Sequence, residues 1–166
     1  MPGVKIRRGL ARQDATALLA WANGGGEAFL RQFAGPKWRY PLTWAQLEPE
    51  RDEIYSILVE GEFAGIIQRF PTQPPVARLG RFLIDPARTG RGIGTAALEL
   101  LCREIFRDGS VESVSLNVYR FNAQALRCYR KCGFAVVNTW DDEAWPRCEM
   151  ALNRKTMTLR SNQHDL

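Results

Sequence analysis

The sequence predicts an α/β fold of the α+β kind, a mixed central sheet of about seven strands with helices on both faces. Two observations predict it. Strand-like and helix-like segments follow one another in the order β-α-α-α-β-β-β-α-β-α-β-β, with glycine, proline or acidic turns at most boundaries. At 166 residues, 45% hydrophobic and 25% charged, the chain has the size and composition of one globular domain, expected over residues 1–153, with a polar tail over 154–166.

Val4 to Gly9 alternates as a first strand. Asp14 is placed to cap a helix that stops at Gly24-Gly25-Gly26. Glu27 to Ala34 forms a second helical stretch, ended by Gly35-Pro36. Thr43 and Gln46 have the spacing of a capping box for a short helix over Trp44 to Glu48. Ile54 to Val59 and Phe63 to Phe70 read as a hairpin turned at Glu60-Gly61-Glu62, and Val76 to Ile84 as a strand stopped by Asp85-Pro86.

From Gly92 to Phe106 the apolar positions Leu98, Leu101, Cys102 and Ile105 recur at helical spacing, with Glu99 and Arg103 free to pair outside that stripe. Val111 to Val118 follows as a strand. Asn122 then caps a helix with Ala125, Cys128, Tyr129 and Cys132 on its buried stripe and Gly133 at its end. Phe134 to Trp140 and Arg147 to Leu152 close the domain as a hairpin, and the polar residues beyond are expected to fray.

Several classes are excluded. No apolar run approaches the roughly 18 residues of a membrane span. The basic start lacks the apolar stretch of a secretory signal, so the cytoplasm is the expected compartment. Cys102, Cys128, Cys132 and Cys148 fit buried free thiols. Cys128 and Cys132 lie one helical turn apart, but the single histidine, His164, falls in the polar tail and no second ligand pair exists, so no metal is expected. The net charge of +5 favours an anionic ligand or partner.

The segment Arg88-Thr89-Gly90-Arg91-Gly92-Ile93-Gly94-Thr95 follows a strand and opens a helix. Glycines there let main-chain amides approach an anion, and the helix N-terminus adds a favourable dipole. A pyrophosphate would be held by those amides, with Arg88 and Arg91 adding charge. An ATP-type loop would need Lys and then Ser or Thr after its last glycine, and Thr95-Ala96 stands there instead. Gly92, Gly94 and Ala97 match a dinucleotide pattern. However, Glu112 begins a strand where the ribose-binding acid should end one, and about seven residues separate the preceding strand from the glycines.

Asp85-Pro86, Gly90-x-Gly92-x-Gly94, and Leu116-x-Val118-x-x-x-Asn122-x-x-Ala125-x-x-x-Tyr129-x-x-x-Gly133-Phe134 together resemble the GCN5-related N-acetyltransferase superfamily. The wording Leu-Asn-Val-Tyr and Arg-Cys-Tyr-Arg-Lys-Cys-Gly-Phe is most similar to the branch of ribosomal-protein N-terminal and spermidine acetyltransferases. Thr89 departs from the family's usual Gln or Arg, with Arg88 one position earlier. The resemblance implies acetyl-CoA as cosubstrate. Phe82, Leu83 and Ile84 would face the pantetheine arm and thioester carbonyl, and Arg88, Thr89, Gly90, Arg91, Gly92, Ile93, Gly94 and Thr95 would form the phosphate loop. It also implies that Asn122 contacts the pantetheine or adenosine portion and that Tyr129 lies beside the sulfur.

Direct attack by a primary amine on the thioester requires a neutral amine, a stabilised oxyanion and a protonated leaving thiolate. A strand amide near Leu83 or Ile84 can serve the oxyanion, and Tyr129 can protonate sulfur. The alanine-specific ribosomal-protein enzymes have a glutamate between the residues equivalent to Leu116 and Val118; here it is Asn117, which cannot accept a proton. Glu53, Glu143 and Glu149 are then the candidate bases. The resemblance places an acceptor wall at Phe29, Phe33, Trp38, Tyr40 and Trp44, residues that ordinary packing would also explain. Asp141-Asp142-Glu143 forms an acidic run that could attract a cationic amine or simply be a solvated turn. The expected partner is a small-molecule or peptide amine, with no nucleic acid or membrane, on a monomer or homodimer. A catalytically silent acyl-CoA binder of the same fold is the alternative.

Overall fold

A computed structural model describes residues 3–142 and 144–164. Its elements are β1 (Val4–Arg8), α1 (Arg12–Gly24), α2 (Glu27–Ala34), α3 (Trp44–Leu47), β2 (Ile54–Val59), β3 (Glu62–Phe70), β4 (Val76–Ile84), α4 (Ile93–Phe106), β5 (Ser113–Tyr119), α5 (Ala123–Lys131), β6 (Ala135–Trp140), β7 (Arg147–Asn153) and α6 (Arg154–His164). Short 3₁₀ segments, Glu48–Glu53 and Pro86–Arg88, precede β2 and follow β4. The seven strands follow the order β1-β2-β3-β4-β5-β7-β6. The predicted mixed sheet is therefore present. Two compact units divide the chain at Gly80 within β4 and after Ala97 within α4.

In the first unit, residues up to 69 with 80–97, β1 pairs antiparallel with β2 from Val4↔Val59 to Arg8↔Tyr55. Strand β2 pairs antiparallel with β3 through a turn at Glu60 and Gly61. Both turn residues have positive φ, 49° and 81°, the requirement of the tight hairpin turn whose twist matches its strands. Ala15, Leu18 and Ala22, at helical spacing, bury the inner stripe of α1. Leu18 and Ala22 join a core with Leu10, Leu30, Leu47, Ile54, Ile66 and Leu83.

Two expected caps are corrected. Ala11 occupies the N-cap of α1, while Asp14 lies in the first turn and pairs with Arg7 at 2.9 Å. There its charge still favours the helix N-terminus. Thr43 is the N-cap of α3 but makes no side-chain capping bond. Gln46 instead accepts from the Arg39 amide at 2.7 Å and donates to the Arg39 and Pro41 carbonyls. The preceding loop thus takes the amide that a capping box would have used.

In the second unit, residues 70–79 and 98 onward, β4 runs parallel to β5 over Val76–Leu79 against Ser113–Leu116. On its other side β5 is antiparallel to β7. Strand alternation buries Val114, Leu116, Val118, Cys148, Met150 and Leu152 and turns Ser115, Asn117 and Glu149 to the opposite face. Leu98, Leu101, Cys102 and Ile105 are buried as their spacing predicts, while Glu99 lies 3.8 Å from Arg160 rather than pairing with Arg103.

Where the sequence predicts a frayed tail, the chain forms α6. The Arg154 guanidinium donates to the carbonyls of Phe106 at 2.9 Å, Asp108 at 2.7 Å and Val111 at 2.6 Å. It thereby satisfies the carbonyl of Phe106, the last residue of α4, and braces the loop that follows it. Met157 is buried one turn further on.

Candidate active site

The first unit carries the glycine loop. At the end of β4 the Asp85 carboxylate accepts from the Ala87 amide at 3.0 Å and starts the Pro86–Arg88 turn, and Thr89 Oγ1 donates to the Pro86 carbonyl at 3.3 Å. Gly90 and Gly92 follow at φ 76° and 81°, a region that side chains other than Asn or Asp rarely adopt. Helix α4 then starts at Ile93, and the Ala96 amide donates to the Gly92 carbonyl at 3.1 Å. Amides earlier in that turn have no preceding helical carbonyl, so the loop presents the positive end of a 14-residue helix. Arg91 and Gly92 are exposed there. Arg88 is half-buried and already engaged, 2.6 Å from Glu62 and 3.6 Å from Asp85. Of the two arginines expected to supply charge, Arg91 is the one on the open side.

Leu83 is buried, and Phe82 and Ile84 are half-buried on the other face of β4. The Asp85 amide donates to the Ala64 carbonyl at 2.8 Å, and a Cβ on Gly65 would lie 2.3 Å from the Leu83 carbonyl oxygen. Backbone groups of residues 83 and 85 therefore address β3. Ile84, which lies between them, has its backbone groups turned to the opposite edge.

Just before this segment stands Arg81, 5% exposed and with φ 48° in the middle of β4. Its guanidinium donates to the Ala34 carbonyl at 3.1 Å, to Glu50 at 2.8 Å and to the Gln68 side-chain oxygen at 3.1 Å. It also lies 3.9 Å from the centre of the Trp38 ring. Trp38 Nε1 donates to Glu50 at 2.8 Å, and Gln68 Nε2 donates to Glu50 at 3.0 Å and to Glu53 at 3.1 Å. Burial works against the Glu50 carboxylate, but the Trp38 and Gln68 bonds and the Arg81 charge outweigh it and hold its pKa below the usual range.

In the second unit Asn122 caps α5 as predicted, accepting from the Ala125 amide at 3.3 Å. Tyr129, two turns along, is 6% exposed and packs against Phe134 with ring centres 5.9 Å apart. Burial, with smaller contributions from Cys128 and Cys132, pushes its pKa well above the ordinary tyrosine value. Ala125 and Cys128 are half-buried and Cys132 is buried.

A family model described as acetyltransferase (GNAT) family matches residues 26–134, more than half of the chain. The chain belongs to that family. It is similar to an aminoglycoside N(6')-acetyltransferase type 1 of Klebsiella pneumoniae, 26% identical over 88% of this chain and 81% of the relative. Among solved structures, aminoglycoside acetyltransferase AAC(6')-Ib in complex with coenzyme A and kanamycin has a TM-score of 0.73 at 22% identity, covering 95% of this chain and 99% of that one. RimL, a ribosomal L7/L12 alpha-N-protein acetyltransferase in complex with coenzyme A, has a TM-score of 0.76 at 16% identity, covering 92% and 95%. As a GNAT protein the chain is an acetyl-CoA-dependent N-acetyltransferase. No group of three or more metal-ligating side chains is found among the described residues. No helix among them is long and apolar enough to cross a membrane.

Within this GNAT chain the candidate bases separate. Glu149 accepts from Asn138 at 2.8 Å and Ser115 at 2.7 Å, with Arg78 at 3.6 Å, and these bonds hold its pKa below the usual range. Both oxygens are engaged, so it is poorly suited to take a proton. Glu53 is half-buried and accepts the Gln68 bond. Glu143 lies outside the described residues. Asn117 is exposed on β5, directly opposite Glu149 in the β5–β7 register.

Two members of the acidic run are paired, Asp141 2.6 Å from Arg120 and Asp142 3.0 Å from Arg147. Of the aromatic wall, Trp38 is buried and Phe29, Phe33 and Trp44 pack against the first unit's core; Tyr40, 44% exposed, is the open member.

Sequence reasoning passed over Arg81 and Glu50. One signal was legible: Ala77, Leu79 and Leu83 set the buried alternation of β4, and Arg81 falls in that register. A charged residue in a buried register must bring partners with it.

Proposed function

We propose that this GNAT protein transfers the acetyl group of acetyl-CoA to a primary amine of a polycationic amino-sugar, by direct attack and through a tetrahedral intermediate. The observation that carries the cosubstrate half is the left-handed glycine pair leading into α4, with Arg91 on its open side. Its exposed amides and helix dipole suit the pyrophosphate of coenzyme A. Asn122 contributes at the pantetheine or adenosine portion. The acceptor class is supported by the aminoglycoside-modifying relative that matches most of the chain.

The chemistry follows from the residues. The Ile84 amide, turned away from β3, donates to the thioester oxygen as it gains charge. Glu53, which accepts a bond from Gln68 on one oxygen, receives the ammonium proton through water, because both oxygens of Glu50 and of Glu149 are taken by other donors. Tyr129 donates its phenolic proton to the departing sulfur. From its ammonium form the nitrogen thus loses two protons, the first to Glu53 before attack and the second to solvent from the tetrahedral intermediate. Tyr129 protonates the thiolate and regains a proton from solvent, so the products are an amide, coenzyme A and one released proton.

Two measurements test this reading. Gly92→Asn keeps a residue type that tolerates positive φ while placing a side chain where the phosphate should lie. Calorimetry should show at least about a tenfold loss of acetyl-CoA affinity in a folded protein; unchanged affinity would remove the loop from the site. Acetyl-CoA turnover, followed by release of free thiol, should then be screened with kanamycin, spermidine and a peptide with a free N-terminus. Turnover with the peptide alone would overturn the amino-sugar assignment.

A further inference from the structure

We infer that Arg81 is a positioning residue for acyl transfer: it holds the positive-φ break within β4 after which the Phe82–Ile84 backbone is presented to the thioester. This rests on the proposal that this backbone faces the thioester. Arg81 has φ 48° inside a strand, a conformation uncommon for a residue with a long side chain. Such a residue rotates the next peptide out of regular pleating, so the amides after it take directions that an ideal strand would not give them. Persistence of a strained conformation requires surroundings that over-determine it.

Those surroundings are present. The guanidinium is held by Ala34 at the end of α2, by Trp38 in the loop that follows, by Glu50 in the 3₁₀ segment and by Gln68 on β3. Four separate stretches of the first unit thus meet on one buried side chain. Packing alone does not account for the choice. A leucine would fit the alternation of Ala77, Leu79 and Leu83, and a buried ion pair is a weak source of stability compared with apolar packing. A glycine would satisfy φ but would enforce nothing. Arginine at this position both adopts the strained conformation and carries a planar fork that fixes it.

Arg81 thereby links Trp38, which the family resemblance places in the acceptor wall, to the strand proposed to face the reacting carbonyl. Trp38 and Ala34 belong to that side of the unit, and their contacts converge on the residue immediately before Phe82. A change in the Arg81 contacts should therefore alter chemistry at the carbonyl more than binding of coenzyme A at the glycine loop.

The test uses acetyl-CoA labelled with ¹³C at the carbonyl, bound to the whole protein and to two variants. Arg81→Lys keeps the charge but cannot donate to Ala34, Glu50 and Gln68 together or lie flat on Trp38. Glu50→Gln keeps the shape of the partner and removes its charge at a half-buried position. In the unaltered protein the bound carbonyl resonance should be displaced from that of free acetyl-CoA. In each folded variant it should move back toward the free value, with acetyl-CoA affinity within about threefold and turnover of the acceptor lower by roughly 10- to 100-fold at little-changed KM. A variant that fails to fold is read through the other. Folded variants with an unaltered carbonyl resonance and turnover would overturn the inference, as would an undisplaced resonance in the unaltered protein that binds acetyl-CoA. Absence of acetyl-CoA binding by the unaltered protein would overturn the acetyl-CoA reading itself, and this inference with it.

Discussion

Arg88 lies 2.6 Å from the Glu62 carboxylate, which ties the leading edge of the glycine loop to the start of β3. Asp85 sits 3.6 Å away on the other side, so two carboxylates already compensate this guanidinium. Arg91 is exposed beyond Gly90, where its field reaches an incoming anion. Arg91→Ala should therefore weaken acetyl-CoA by about tenfold or more at low salt, and Arg88→Ala by no more than about threefold. Calorimetry at two salt concentrations checks both, because a phosphate contact through Arg91 should fade as salt rises. Equal losses for the two variants would place Arg88 on the ligand as well.

Much of this architecture was readable from the sequence because the signals were local. The alternation of β4 and β5, the helical stripe of Leu98, Leu101, Cys102 and Ile105, and the Asn122 cap depend on neighbours in the chain and appear as predicted. Misses occurred where a side chain's partner lies outside its own element. Asp14 found Arg7, Gln46 turned to the Arg39 loop, and Arg154 reached back to carbonyls more than 40 residues earlier. The candidate site divides in the same way. The glycine loop shows in composition because positive φ selects glycine. The occupied states of Glu50 and Glu149 depend on donors that only the fold brings together.

Glu149 provides a test through pH. Its bonds to Asn138 and Ser115, with Arg78 nearby, lower the folded pKa below the unfolded value of about 4.3. A depressed carboxyl pKa contributes stability that is fully present above the unfolded value and is lost as pH falls through the folded one. Glu149→Gln should cost on the order of 1 kcal/mol at pH 7, with the difference from the unaltered protein shrinking below pH of about 4. Urea unfolding across that range measures it. Turnover of Glu149→Gln should stay within about threefold of the unaltered enzyme, since this carboxylate is not the proposed base; a fall of about 10²-fold or more would reinstate it.

The thiols should behave as core residues. Burial pushes Cys102 up to about 12, and Cys132 is raised further by its hydrogen bond with Cys128 and by burial. Alkylation requires the thiolate, so iodoacetamide at neutral pH should leave Cys102 and Cys132 unlabelled in the native protein and label both after denaturation. Mass spectrometry of the two samples decides it. Rapid native labelling of Cys102 would show that its surroundings open on the timescale of the reaction.

Tyr129 carries the proposed acid role, and its environment sharpens the test. Its ring is buried against Phe134, a contact that phenylalanine preserves, so Tyr129→Phe removes the proton donor and little packing. Turnover should fall roughly 10²- to 10⁴-fold while acetyl-CoA affinity stays nearly unchanged. Burial raises the phenol's pKa, so the acid remains protonated across the working range. The rate of the unaltered enzyme should consequently show no alkaline decline assignable to this group below pH of about 10. Pre-steady-state thiol release, where chemistry limits the rate, gives both readings. Should Tyr129→Phe retain full turnover there, the ring would be a core aromatic and water would supply the proton to sulfur.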